Sequence, residues 1–329
     1  MNILIKGGGS IGLRHLSNCH LLWPSSSITL VSKYSNIPPS ILTNPAIQVV
    51  NHLNDVIDKN FSLSIIASPA SHHISDLNHV FDISESVLVE KPLFSAWDSD
   101  GIDFSHVTSK NVIVGYVLRF DPIILNAKAI IDSGKFGSVL SARVWAGQDL
   151  RQWRPNVDYN KTVSASRNLG GGVLHELSHE IDYITYLLGQ PTSLYSSLGN
   201  YSALDLDVED SAMLHLIYPD KCVTINTDFI ASPPSLGFEL LFEKATLNAD
   251  FVNRQLILSA PSQEPQYYDV NVQSFNDLYI DQLRYLDSIR NSAPSNSKYT
   301  PCTLQESINV MKIIQAAIQF SNSIPSISI

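Results

Sequence analysis

The chain has 329 residues, 44% of them hydrophobic and only 16% charged, with a net charge of -10 at pH 7. That length exceeds one ordinary core and predicts two domains, while the acidic balance excludes the basic patches that nucleic acids or anionic membranes require. No apolar run reaches the roughly 18 residues of a membrane span, the N-terminus reads as a strand rather than a signal peptide, and the scattered Cys19, Cys222 and Cys302 read as free thiols of a reducing, cytoplasmic compartment.

The first fifteen residues carry the strongest pattern. An apolar run, Asn2–Lys6, feeds into Gly7-Gly8-Gly9-Ser10-Ile11-Gly12, and a helical pattern follows over Ile11–His20. In Gly-x-Gly-x-x-Gly at a strand-to-helix turn, the first glycine makes the turn, the second admits a pyrophosphate, and the third lets helix pack on strand. The helix N-terminus then offers N–H groups and partial positive charge to phosphates. An ordinary glycine-rich turn is the alternative; the strand before it and the helix after it favour a dinucleotide. Ile28–Ser32 is the second strand. An acidic residue near its end would suit the ribose of NAD, but Ser32-Lys33 stands there and favours the 2′-phosphate of NADP, unless Lys33 simply faces water.

Ile47–Val50, Leu63–Ala67, Val87–Val89 and Val112–Tyr116 follow as apolar strands. Helical stretches near Leu53–Asp58 and from a Ser71 cap to about Ile83 alternate with them, and 94–110 is irregular. Such alternation predicts a parallel sheet covered on both faces, over residues 1–117. Ligands of such sheets gather at the carboxyl ends of the strands, where Ser68, Pro69, Glu90 and Lys91 fall. Lys91, between Glu90 and Pro92, reads as an acid, a base or an oxyanion stabiliser, or else as a loop lysine paired with Glu90.

Residues 118–329 follow a different grammar. Asp121-Pro122 opens a helix that runs to about Ser133. Val139–Ala146, Leu194–Leu198, Ser211–Tyr218, Cys222–Phe229 and Gly237–Phe242 alternate or pair through turns, predicting an antiparallel sheet open on one side. One long helix, Val173–Leu188, interrupts it. Two more helices close the chain, Phe275–Arg290 and one opened by the capping box Thr303-x-x-Glu306.

Within this second part, Gly170-Gly171-Gly172 is a close-approach segment leading into His175, Glu176, His179 and Asp182, which helical spacing puts on one face. His175-Glu176-x-x-His179 is also the zinc-peptidase pattern, with paired histidines for the metal and a glutamate for its water. Asp182 and Thr185 in place of the extended motif's glycine and third histidine, the charged Glu180, and the dinucleotide turn upstream all count against it. A metal-free His179 acting as acid or base beside carboxylates is the preferred reading. Trp153 and Arg154, with Asp158-Tyr159 after them, suit a sugar face, a carboxylate or a phosphate, or else plug a seam; Arg119 is a similar candidate. His72 and His73 read as helix-start residues, and Arg14 and His15 as neighbours of the phosphate turn.

Taken in order, Gly7–Gly12, Ala67-Ser68-Pro69 with His72, Glu90-Lys91-Pro92, Gly115–Pro122 and Gly170–Asp182 resemble the Gfo/Idh/MocA family, that of glucose–fructose oxidoreductase and inositol dehydrogenase. The resemblance implies an N-terminal Rossmann domain and a C-terminal α/β domain whose large, mostly antiparallel sheet joins copies into a dimer or tetramer. It implies NAD or NADP, contacted by Gly7, Gly9, Ser10, Ile11, Gly12, Ser32, Lys33, Ser68, Pro69, His72, Glu90 and Lys91, and hydride transfer at a hydroxyl-bearing carbon of a sugar, polyol or nucleotide-sugar. Lys91 and His179 match the catalytic pair. Arg119, Trp153, Arg154, Tyr159, His175, Glu176 and Asp182 are the substrate-binding candidates. His175 stands where many members carry aspartate, which leaves the residue that orients His179 open among His175, Glu176 and Asp182. A nicotinamide-dependent glycoside hydrolase and a non-catalytic nicotinamide-binding protein are the alternatives on this fold.

Overall fold

The computed structural model describes residues 1–33, 37–57, 60–95, 111–153, 156–291 and 298–323. In chain order its elements begin with β1 (Asn2–Lys6), α1 (Ser10–Leu22), β2 (Ser27–Val31), α2 (Pro39–Leu42), β3 (Ile47–Val50), β4 (Phe61–Ile66), α3 (His73–Phe81), β5 (Ser84–Val89) and β6 (Asn111–Val114). Next come α4 (Pro122–Asp132), β7 (Val139–Gly147), α5 (Leu150–Trp153), α6 (Val173–Glu176), α7 (His179–Leu188), β8 (Ser193–Gly199), β9 (Ser211–Ile217), β10 (Cys222–Asp228) and β11 (Ser235–Phe242). The chain closes with β12 (Thr246–Asp250), β13 (Gln255–Ser259), β14 (Gln266–Tyr267), α8 (Asn276–Arg290), β15 (Cys302–Thr303) and α9 (Leu304–Ser323). These form two compact units, Met1–Phe120 with Gln273–Ser307, and Asp121–Val272 with Ile308–Ile329.

The first unit is a sheet in the order β15-β6-β5-β4-β1-β2-β3. Its strands run parallel except β15, which pairs antiparallel to β6. The order reverses between β1 and β4, which is the switch point where such sheets bind ligands. Ile3, Ile5, Leu30, Ile65 and Leu88 are wholly buried in its core, against Leu16 and Cys19 of α1 and Leu283 and Leu286 of α8. Each such side chain contributes roughly 1.5–3 kcal/mol by burial, so α8, distant in sequence, completes this core. The helix after β4 departs from expectation: Ala70–His72 forms a 3-10 turn, α3 begins at His73, and Ser71 is not its cap. The capping box of α9 is present, with the Thr303 amide donating to Glu306 Oε2 (2.9 Å) and the Glu306 amide to Thr303 Oγ1 (3.2 Å).

The second unit is built on an eight-stranded sheet, β14-β13-β12-β11-β7-β10-β9-β8. All its pairings are antiparallel except that of β7 with β10. Alternation is strict where it matters: Val144, Leu214, Ile225, Phe238 and Leu247 are buried, while Arg143, Tyr195, Met213 and Asn226 lie on the other face. The buried face carries an aromatic cluster of Tyr183, Phe238 and Phe251, with ring centroids about 6 Å apart. At the start of α4, Asp121 caps the Ile123 amide (2.8 Å) and takes a bidentate Arg254 (2.8 and 2.9 Å). The single helix expected over Val173–Leu188 is two, interrupted at Leu177 and Ser178. The two pieces pack against different partners, α6 on β9 and β10 and α7 on β7 and α4. Among the described residues no helix is long and apolar enough to cross a membrane.

Candidate functional site

The phosphate turn of the first unit follows directly from its glycines. Gly7 has φ of 115°, and a Cβ there would lie 2.3 Å from the carbonyl oxygen of Ala67, at the end of β4. A Cβ on Gly12 would lie 1.9 Å from the Gly7 carbonyl oxygen. Gly8 is pressed just as closely against Ser32 at the end of β2 (2.3 Å). Gly9 differs, since a Cβ there would meet nothing within 4 Å. Gly9 is the N-cap of α1 and supplies no side-chain cap. The helix therefore opens, at the sheet's switch point, onto space with its first N–H groups directed outward. Ser10 is exposed and Ile11 half-buried beside it, and Lys33 is exposed just beyond Ser32.

Around Lys91 the first unit is densely bonded. Glu90 is buried, and its Oε1 lies 2.6 Å from Nε2 of the wholly buried His15. Its Oε2 accepts the Lys91 amide at 3.3 Å. Lys91 itself is half-buried. Ser68 donates its hydroxyl to Asp76 (2.6 Å), and His72 is exposed. The buried His73 lies between two carbonyls, that of Pro92 at Nδ1 (2.9 Å) and that of Ser68 at Nε2 (2.7 Å). Burial pushes its imidazole below the ordinary value, against those two acceptors and the charges of Glu90 and Asp76. The sequence pattern assigns His15 and His73 no such role.

Arg119 lies inside the first unit. It is 1% exposed, and its guanidinium donates to Glu306 (2.9 Å). Glu306 is held below the usual carboxylate range: burial would raise it, but the Arg119 charge and the Thr303 donors outweigh that.

In the second unit Trp153 and Tyr159 come together. With Leu150, Val157, Thr162 and Ser164 they line a cavity of about 10 Å³. Trp153 is fixed by its indole N–H on the Gln148 carbonyl (3.1 Å) and by its edge-to-face contact with Phe229. Ser164 in turn donates to Glu176 (2.9 Å), so Glu176 is tied to this lining. His179 is half-buried at the start of α7, whereas His175 and Asp182 are buried. The helix interruption therefore falls between His175 and His179. Arg154 lies outside the described residues. Among the described residues no group of three or more His, Cys, Asp or Glu side chains is placed to hold a metal.

Glu209 is a further residue that sequence reasoning missed. It is buried, accepts the Leu174 amide at the start of α6 (3.1 Å), and fills the space where a Cβ on Gly172 would fall. Burial pushes its carboxyl up to about 7. Its only sequence signal is an acid in a polar loop, 35 residues from the amide it meets.

A parallel sheet with a glycine turn at its switch point, followed by a unit built on a large open sheet, defines a Rossmann-type two-unit α/β protein. Residues 124–248 match the model of the GFO/IDH/MocA C-terminal domain. The chain is similar to the levoglucosan dehydrogenase of Pseudarthrobacter phenanthrenivorans, 24% identical over 61% of this chain and 54% of that protein. It is also similar to an uncharacterized oxidoreductase of Schizosaccharomyces pombe, 25% identical over 60% of this chain and 54% of that protein. The matches thus span about half the length of these relatives. Among solved structures, levoglucosan dehydrogenase in complex with NADH superposes with a TM-score of 0.79 at 17% identity, covering 98% of this chain and 97% of that one. Its complex with NADH and levoglucosan gives 0.73 over the same shares.

Proposed function

We propose that this protein is a nicotinamide-dependent dehydrogenase or reductase acting on a hydroxyl-bearing carbon of a sugar, polyol or nucleotide-sugar. The observation that carries the reading is the Gly7–Gly12 turn, whose one open position, Gly9, caps α1 at the switch point between β1 and β4. The likeness to an oxidoreductase family and to a sugar dehydrogenase solved with NADH supports it. Gly9, Ser10, Ile11 and Gly12 would hold the pyrophosphate through their amides, and Ser68, Pro69 and His72 border the same strand ends. The cofactor, when bound, supplies the hydride chemistry. His179 takes or returns the hydroxyl proton, and Lys91 stabilises negative charge developing on the substrate oxygen. Trp153, Tyr159 and Glu176 are the candidates in the second unit for contact with the substrate.

A sugar and polyol panel, followed by the absorbance of reduced nicotinamide, tests this reading. Turnover with at least one sugar is expected, and His179→Ala should lower it at least about 100-fold while leaving nicotinamide affinity intact. Activity lost in chelator and restored by zinc would overturn the metal-free role of His179.

Ser32, pressed against Gly8, and the exposed Lys33 after it favour NADP(H) over NAD(H). A charged contact to the 2′-phosphate is worth about tenfold or more in affinity. Calorimetric titration with both cofactors decides the matter, and equal or tighter binding of NAD would defeat it. The open face of the large sheet, with Tyr195 and Met213 exposed, supports self-association through the second unit, which light scattering on the purified protein would test.

A further inference from the structure

Lys91 sits in a segment held from both sides by buried histidines that come from two different helices. On one side, His15 of α1 reaches Glu90 at 2.6 Å, and the second oxygen of Glu90 takes the Lys91 amide at 3.3 Å. Both carboxylate oxygens are therefore in use as acceptors. An amide in place of Glu90 would set its NH2 against one of those donors. The carboxylate fits only because residue 115 is glycine, since a Cβ there would lie 2.8 Å from Oε2. On the other side, the ring of His73 of α3 lies between the Pro92 carbonyl (Nδ1, 2.9 Å) and the Ser68 carbonyl at the end of β4 (Nε2, 2.7 Å), and its one N–H in the neutral form donates to one of them. Buried polar groups of this kind are poor sources of net stability, because apolar residues of the same volume pack as well. What they supply is orientation, and α1 and α3 begin at the two strand ends that border the phosphate turn.

We propose that His15 and His73 are positioning residues for Lys91, registering its backbone to the dinucleotide turn through Glu90 and Pro92. The assignment rests on the reading of Lys91 as a catalytic residue. His15 is wholly buried and acts through Glu90.

The test is a double-mutant cycle on the full chain. His15→Ala should lower kcat at least about tenfold, since small misplacements of a reacting group are costly, with nicotinamide affinity by fluorescence titration unchanged. His15→Gln, which returns a donor near the Nε2 position, should recover most of the loss. In a Lys91→Ala background, His15→Ala should cost no further turnover. Additive losses, or an unaltered kcat in folded His15→Ala, would overturn the proposal. His73→Asn carries the same cycle if His15→Ala does not fold. Should no sugar be oxidised or reduced at all, the dehydrogenase reading fails by itself. The positioning claim is then read separately from the acetylation rate of Lys91 by acetic anhydride, followed by mass spectrometry. That rate should change in His15→Ala and return in His15→Gln, and an unchanged rate would defeat the claim.

Discussion

The chain has two glycine triplets that each lead into a helix, and they do opposite things. Gly7-Gly8-Gly9 runs into the thirteen-residue α1 and leaves Gly9 facing open space. Gly170-Gly171-Gly172 runs into the four-residue α6 and is filled from within. A Cβ on Gly171 would lie 2.2 Å from the Val163 carbonyl oxygen, and one on Gly172 would strike Glu209. Glu209 also accepts the Leu174 amide, so a carboxylate of the protein already stands where an anion would bind. The same local composition thus leaves a helix N-terminus open in one unit and builds an internal joint in the other. What separates them is whether another part of the chain occupies the space.

The sharpest way to break this comparison is alanine at the open and closed positions. Gly12→Ala drives a methyl into the Gly7 carbonyl and should destabilise the first unit by about 3 kcal/mol, as overpacking against backbone does. Gly9→Ala has room and an ordinary backbone conformation, with φ of -75°. It should melt like the parent yet bind nicotinamide cofactor at least about tenfold more weakly, if phosphate approaches there as closely as the motif requires. Thermal unfolding paired with cofactor titration separates the two. A Gly9→Ala protein with undiminished affinity would end the cradle assignment.

Much of this was legible in the sequence, and the parts that were not share a cause. The strands of the first unit show as continuous apolar runs because both faces of a parallel sheet are covered. β12 escaped notice because Asn248 and Asp250 break its apolar character on the exposed face, and β13 because it is a short strand beyond the 250–254 turn. Periodicity placed His175 and His179 on one face but carries no information on Leu177, where packing against different strands parts α6 from α7. A cation after a strand end suits a ligand, but the sequence gives no sign that Arg119 meets Glu306, 187 residues on. His15, His73 and Glu209 likewise take their meaning from groups distant in the chain. Local pattern reveals elements and turns, whereas buried polar pairing is decided only when those elements meet.

The next effect concerns Glu209. Its native value of about 7 lies above the ordinary 4.5. The native state therefore holds a proton that the unfolded chain releases, and stability falls as pH rises from about 4.5 to about 7. The full span is worth about 3 kcal/mol as an upper figure, since each tenfold difference in proton affinity between the two states is worth about 1.36 kcal/mol. Glu209→Gln keeps an acceptor for the Leu174 amide without the charge. It should be more stable than the parent at pH 8 and equal to it near pH 4.5. Urea unfolding at both values checks this, and a parent whose stability is flat over the window would refute it.

The smallest effect has the opposite sign and belongs to the first unit. Burial holds the His73 imidazole below its ordinary 6.5, although two carbonyls and two carboxylates pull it upward. As pH falls through 6.5, the unfolded chain takes up a proton that the native state resists, so the stability His73 contributes is lost on acidification. Between pH 7 and pH 5 the two units should therefore diverge. Amides of β4 and β5 should exchange faster relative to the intrinsic rate, while those of α6 and β9 should exchange more slowly. His73→Asn should abolish the first trend and leave the second untouched, which hydrogen exchange with mass spectrometry resolves segment by segment. If acidification loosened α6 and β4 alike, the trend would belong to net charge, and neither residue would be its source.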